Sequence, residues 1–296
     1  MSNPSAVDAN ASLPSRVALW MSERFPPGTY TILVTVYGLA GLSVGWATGG
    51  ERYGLPSLIV LWLFFLQLRI LDEHKDHERD QHTHPERALS RGVVTLALLA
   101  RMGVVAVVIQ AAIVAWLGVP AAYAWLAALV FSGLMFIEFG VGRWLEQRIV
   151  LYALTHNPVM IPLALFVVWS TGTELAPVHA AFASLSSFAM LGFEFGRKTY
   201  LPHEEHPDVP SYTSVLGQTQ ARGMLAASHV GSMVALGVTL HLLGVAPLLI
   251  VAAVGFTGVP GLISCAPGRP AKQVELGASV VLLLSLLSIL LLCWTV

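Results

Sequence analysis

"RILDEHKDHERDQHTHPERALSRG", Arg69–Gly92, lies between two apolar runs, "GLPSLIVLWLFFLQL" (54–68) and "VVTLALLARMGVVAVVIQAAIVAWLGV" (93–119). Its first twelve residues hold eight acids and bases. If the flanking runs cross a bilayer, this charge sits at a membrane surface and continues a spanning helix. If they do not, it is a wet loop. The fold turns on that choice.

Composition decides it. Of 296 residues, 55% are hydrophobic and 11% charged, with mean hydropathy +0.71. A water-soluble domain carries roughly 25% charged residues. This much apolar surface exceeds what one aqueous core can hide, so the bilayer is the solvent. A net charge of −1 leaves no basic footprint for nucleic acid. Cys265 and Cys293 lie in or beside apolar runs without CxxC spacing, and read as buried small hydrophobes.

Apolar runs long enough to cross about 30 Å at about 1.5 Å per residue number nine: 29–49, 55–72, 94–118, 121–140, 149–171, 176–196, 221–243, 245–264 and 275–295. Turns at "WLGVPAAY" and "LLGVAPLL" divide adjacent runs. The expected fold is an all-α integral membrane protein of nine helices, forming one domain over 29–296. Residues 1–28 form a polar tail without the pattern of a signal peptide. Within it, 16–25 reads as an interfacial helix, with Val17, Leu19, Trp20 and Phe25 touching lipid. Of the 16 Lys and Arg, all but Arg52 fall on one side if the N-terminus is cytoplasmic, which sets the orientation and predicts a site facing the cytoplasm from the cell's inner membrane.

Asp72, Asp76 and Asp80 are spaced i, i+4, i+8, with Glu73 beside them. On a helix they share a face, where like charges repel. A divalent cation relieves that cost, and Mg²⁺ characteristically bridges carboxylates to substrate phosphates. Arg69, Arg87 and Arg91 stand ready for a phosphate. The alternative is mutual ion pairing with Lys75 and Arg79 in a solvated loop. The interspersed His74, His77, His82 and His84 read as wet loop residues.

The stretch resembles the first signature of the UbiA superfamily of intramembrane prenyltransferases, NDxxDxxxD, with Asp72-Glu73 in place of Asn-Asp. The resemblance covers most of the chain. It implies nine helices around an intramembrane cavity, acidic loops after the second and sixth spans, and Mg²⁺ held by Asp72, Glu73, Asp76 and Asp80 on an isoprenoid diphosphate. The second family motif, DxxxD, falls on "FEFGRKTYLPHEEHPDVPSYTSVLG" (193–217), with Glu194 first and Lys198 where the second acid belongs. Glu194 is then a metal ligand with fewer companions, Arg197 and Lys198 are cations for the diphosphate, and Glu204, Glu205 or Asp208 replaces the missing acid if the loop folds back. In "LYALTHNP" (151–158), Tyr152 stands where the family places a lysine, and Arg148 is the nearest cation. His156 and Asn157 are polar groups within a span, open to a site role or to hydrogen bonding between helices. The fourth span ends "FIEFGVGRW" and the sixth "GFEFGRKTY", so Glu138 echoes Glu194.

The resemblance implies transfer of a prenyl group from an isoprenoid diphosphate to a lipophilic acceptor, aromatic or otherwise electron-rich, within membrane lipid. The catalytic candidates are Asp72, Asp76, Asp80, Glu194 and Tyr152. Arg69, Arg87, Arg148, Arg197, Lys198 and Asn157 are candidates for the diphosphate. A membrane terpene cyclase needs the same diphosphate and no acceptor. A transporter or channel, or an inactive homologue, uses the acidic cluster otherwise.

Overall fold

A computed structural model describes residues 10–51, 54–206 and 209–295. Arg52 and Asp208, both singled out above, lie outside the described residues, as do 1–9 of the tail. Among the described residues there are helices and connections and no strand. In chain order the helices are α1 (Leu13–Arg24), α2 (Pro27–Ala47), α3 (Pro56–Thr83), α4 (Leu96–Leu117), α5 (Val119–Phe136), α6 (Gly142–Glu146) and α7 (Ile149–His156). There follow α8 (Met160–Trp169), α9 (Pro177–Arg197), α10 (Tyr212–Leu216), α11 (Gln218–Leu242), α12 (Pro247–Cys265) and α13 (Ala271–Leu292). Helix is what an apolar chain must form where no water can satisfy its backbone.

Eight stretches are long and apolar enough to cross a membrane: α2, α4, α5, α7 with α8, α9, α11, α12, and α13 with its 3₁₀ end. They coincide with eight of the nine expected runs. The remaining run, 55–72, lies in α3. That helix has 28 residues and passes without interruption from the apolar run into the acidic stretch. Arg69, Asp72 and Glu73 fall within it, too many charges for an unbroken apolar span. The expected turns are real. One residue, Gly118, separates α4 from α5 at φ +105, and Gly244 follows α11 at φ +84, backbone that glycine adopts without steric cost.

The chain packs as two compact units. Of the described residues, 10–35 and 55–116 form the first, and 36–51, 54 and 117–295 the second. In the first unit, Leu19, Trp20 and Phe25 are buried against Leu66, Ile70, Leu89, Val93 and Leu99. This corrects the expectation that these α1 side chains touch lipid: they form a core with α3 and the segment behind it. The reason is that segment 84–95 is held to α1. Arg16 Nε donates to Val93 O at 2.5 Å, and Glu23 accepts from Ala88 N at 2.8 Å. Deeper in the apolar region, Gln110 donates to Gln67 at 3.1 Å between α4 and α3, each amide satisfying the other where water is absent.

In the second unit, α9 packs on α8, α11 and α13, and α12 packs on α11 and α13. Ala153, Leu191, Phe195, Tyr212, Leu225, Val274 and Ala278 form a shared core. Helix α2 enters this unit through Gly45, where a Cβ would meet Thr171 Oγ1 at 2.5 Å. Large apolar side chains such as Trp116, Leu248, Phe256 and Leu262 stay exposed, as lipid-facing groups should.

Candidate functional site

Because α3 continues to Thr83, Asp72, Asp76 and Asp80 do rise along one helical face, about 12 Å from first to last. Arginines meet them there. Glu73 is 2% exposed, and its Oε1 receives Arg24 Nε at 2.5 Å and Arg69 Nη2 at 2.7 Å. Asp80 pairs with Arg87 and, at 3.5 Å, with Arg24 Nη2. Asp76 pairs with Arg79 at 2.8 Å, and Asp72 lies 3.8 Å from Arg69. Burial pushes the Asp76 carboxyl above the usual range, opposed by Arg79 and Lys75 and reinforced by Asp80. The repulsion of a stacked acidic face is therefore offset by cations from α1, from α3 itself and from the following loop.

Among the described residues, no three His, Cys, Asp or Glu side chains stand close enough together to hold a metal ion. The donors differ in availability. Asp72 and Asp76 keep side-chain exposures of 49% and 28%, whereas Glu73 and Asp80 are enclosed by guanidinium groups. That is compatible with Mg²⁺, which seldom uses a complete protein cage and binds through one or two carboxylates with substrate phosphates. It is a poor setting for Glu73 as a ligand. His74 is not a wet loop residue: its ring nitrogens lie 2.8 Å from Ile70 O and 3.1 Å from Leu96 O, bridging α3 to the start of α4.

Glu194 lies in the last turn of α9. Its Oε2 accepts from Arg197 Nε at 2.5 Å, its Oε1 lies 3.0 Å from Lys198 Nζ, and Tyr212 OH donates to it at 3.4 Å. The two cations expected on a diphosphate thus hold the Glu194 carboxylate instead. Burial, with Glu194 beside it, pushes the Tyr212 phenol up, so it remains a donor. Glu204 and Glu205 are engaged elsewhere rather than folded back toward Glu194. Glu204 accepts from Leu201 N at 2.9 Å and Ala271 N at 3.0 Å, and Glu205 from Ser211 and Thr213 hydroxyls at 2.6 and 2.5 Å. They shape the loop leading into α10.

Asn157 Nδ2 donates to Ser187 O and Oγ at 3.1 and 2.6 Å, tying the break after α7 to α9 rather than reaching outward. Arg148 Nη1 donates to Trp144 O at 2.7 Å, its guanidinium 4.3 Å over the Trp144 ring. Tyr152 OH donates to Glu138 at 3.4 Å, and its ring stacks on His156 at 4.0 Å. Sequence reasoning missed Arg24, which reaches the acidic face across 49 positions. No local pattern signals that reach, although its place at the end of an amphipathic stretch put it at the right surface.

No family model matches the sequence, and no curated protein matches it. Two solved structures do. A digeranylgeranylglyceryl phosphate synthase superposes with TM-score 0.65 at 11% identity, over 95% of this chain and 99% of its own. A UbiA homologue from Aeropyrum pernix K1 superposes with TM-score 0.57 at 14% identity, over 84% of this chain and 94% of its own. Both neighbours are members of the UbiA superfamily. Likeness of this extent at such low identity speaks for the backbone: the chain shares the fold of these two structures.

Proposed function

We propose that this protein transfers a prenyl group, within the bilayer, from an isoprenoid diphosphate to a lipophilic acceptor. The observation that carries the reading is the likeness to UbiA-type structures along nearly the whole chain. The acidic face of α3 supplies the chemistry that such a reaction needs. As a ninth crossing, α3 is long enough: 28 residues make about 42 Å of helix, more than the about 30 Å of a bilayer core, with its charged end emerging at the membrane surface. The bias of Lys and Arg supports a cytoplasmic N-terminus and a site facing the cytoplasm from the inner membrane.

Asp72 and Asp76 would hold Mg²⁺, with Asp80 joining once Arg87 turns to the substrate. A Mg²⁺ held there would supply positive charge to offset what gathers on the leaving diphosphate. Arg69 and Arg87 grip the diphosphate oxygens. The allylic C–O bond breaks, its electron pair leaving with the diphosphate. The apolar helices keep water from the allylic cation, and the acceptor captures it. Arg197 and Lys198 orient Glu194 and set the charge of the second loop.

The test is Asp76→Asn and Asp80→Asn in protein reconstituted in nanodiscs, with Mg²⁺, a panel of prenyl diphosphates and aromatic and alcohol acceptors. Product formation should fall at least about 100-fold in each variant. Asp76→Asn should also melt no lower than the parent, because partial desolvation makes its carboxylate costly to ionise. Turnover equal to the parent's would overturn the assignment of the site. A cyclic hydrocarbon formed without acceptor would replace transfer by cyclisation.

A further inference from the structure

A cleft of about 440 Å³ opens where α11 begins and α12 ends. Both helices are crossing stretches, so the cleft lies at the level of a membrane surface. Its volume falls within the roughly 300–1,000 Å³ of ligand pockets. Leu201, Pro202, Ala226 and Pro267 supply an apolar wall. Among the described residues lining it, the charged side chain is Arg222, 7% exposed, and none is an acid.

Arg222 is bonded but not neutralised. Its Nε donates to Gln218 Oε1 at 3.2 Å, its Nη1 to Ser264 O and Ala266 O at 3.4 and 2.7 Å, and its Nη2 to Arg269 O at 3.1 Å. All four acceptors are uncharged. A guanidinium has five N–H groups, so the second hydrogen of Nη2 is left for a ligand. The Glu204 carboxylate acts on Arg222 only through space, being bonded to Leu201 N and Ala271 N. A mostly desolvated cation with neutral partners favours an anion beside it.

Toward the bilayer interior the cleft runs on into an apolar face. On α11, Val230 stands one turn beyond Ala226; on α12, Leu262 stands one turn before Cys265, which also lines the cleft. These are i, i+4 and i, i+3 neighbours, so they share the faces that form the cleft. Both are exposed, at 56% and 74%, and Gly223 and Ala226 leave the α11 side without bulk.

We propose that the α11–α12 cleft binds an anionic membrane phospholipid. Its phosphate meets Arg222 and the Thr219 hydroxyl, its first acyl carbons meet the apolar wall, and its tail follows Val230 and Leu262. A soluble anion gains nothing from that wall, and a zwitterionic lipid brings its own cation toward Arg222. Basic pockets between helices at a membrane surface take acidic headgroups in this way.

Cys265 reports occupancy, because it is half-buried in the cleft while Cys293 is 7% exposed. The delipidated full chain in neutral detergent is labelled with a maleimide, read by intact mass, in the presence of phosphatidylglycerol, phosphatidylcholine or inorganic phosphate. Phosphatidylglycerol should slow labelling of Cys265 at a concentration about fivefold below that of phosphatidylcholine, the preference one cation gives an anionic headgroup. Equal protection by the two lipids, or none, overturns the proposal. So does equal protection by inorganic phosphate, which would give the cleft to a soluble anion. Arg222 also holds the end of α12, so the variants leave it in place. Thr219→Asp keeps the helix, since an acid is favoured in its first turn, and should abolish the preference for phosphatidylglycerol, whereas Thr219→Asn should keep it. Gly223→Leu enters open space, with nothing within 4 Å of a Cβ there, and should lose the phosphatidylglycerol that native mass spectrometry finds on the parent. Gly133→Leu, equally unobstructed, should retain it. Parental retention by Gly223→Leu, or an unchanged preference in Thr219→Asp, overturns the site.

Discussion

The ion pairs of Glu73 separate a structural acid from a ligand, and Glu73→Gln tests them. The carboxylate is 2% exposed and holds two guanidinium groups, from Arg24 at 2.5 Å and Arg69 at 2.7 Å. Glutamine keeps the shape and one acceptor but removes the charge. Breaking a buried pair from one side costs about 3–5 kcal/mol, because the surviving charge stays desolvated. Here the survivors are arginines 15% and 20% exposed, which reach water in part, so the loss should be about 2–3 kcal/mol. At roughly 2–4 °C per kcal/mol for a large chain, the apparent Tm should drop by about 5–10 °C. The assay is thermal unfolding of purified protein in one detergent, followed by the folded fraction on size exclusion after heating. Glu78→Gln, at an exposed position of the same helix, is the control. The Mg²⁺ concentration for half-maximal turnover should not move. A Tm change under about 2 °C, together with a raised Mg²⁺ requirement, would refute the reasoning and make Glu73 a ligand.

Two further outcomes follow from the packing and the loop. Gly45→Ala places a Cβ 2.7 Å from Val168 O, a backbone atom that cannot swing aside. It should cost about 1–3 kcal/mol, whereas Gly133→Ala, with nothing within 4 Å, should be neutral or stabilising; equal melting of the two would contradict the close approach of α2 to the segment after α8. The Glu204 carboxyl is held below its ordinary range by the N–H groups of Leu201 and Ala271. An acid with a depressed folded pKa contributes stability above its unfolded pKa, about 4.3, and loses it as pH falls through the folded value. The Tm advantage of the parent over Glu204→Gln should therefore be present at neutral pH and gone in strong acid; a pH-independent difference would argue against the assignment.

How far the sequence reached depends on the range of the forces involved. Eight crossing stretches were legible because the bilayer enforces length and apolarity locally, residue by residue. The common face of Asp72, Asp76 and Asp80 was legible because helical periodicity is local too. Glu194 with Arg197 and Lys198 is a pattern of i, i+3 and i, i+4, open to the same arithmetic, but matching the motif directed both cations to the substrate instead. Trp20 and Phe25 show the limit of local reasoning. An apolar side chain on a short amphipathic helix is equally at home in lipid or in a core, and only the packing of α1 against α3 chose the core.

By itself, then, the sequence determined the solvent, the spans and the position of the acids along their helix, all consequences of hydropathy and backbone geometry within one or two turns. The tertiary structure decided which partners hold each acid. Arg24 arrives from α1 to neutralise Glu73, the backbone amides of Leu201 and of distant Ala271 capture Glu204, and a strained turn buries Glu138 beside Tyr152. Each is a contact between groups distant along the chain or set by a backbone break. Electrostatics and desolvation act through space, and only the fold says which charges meet.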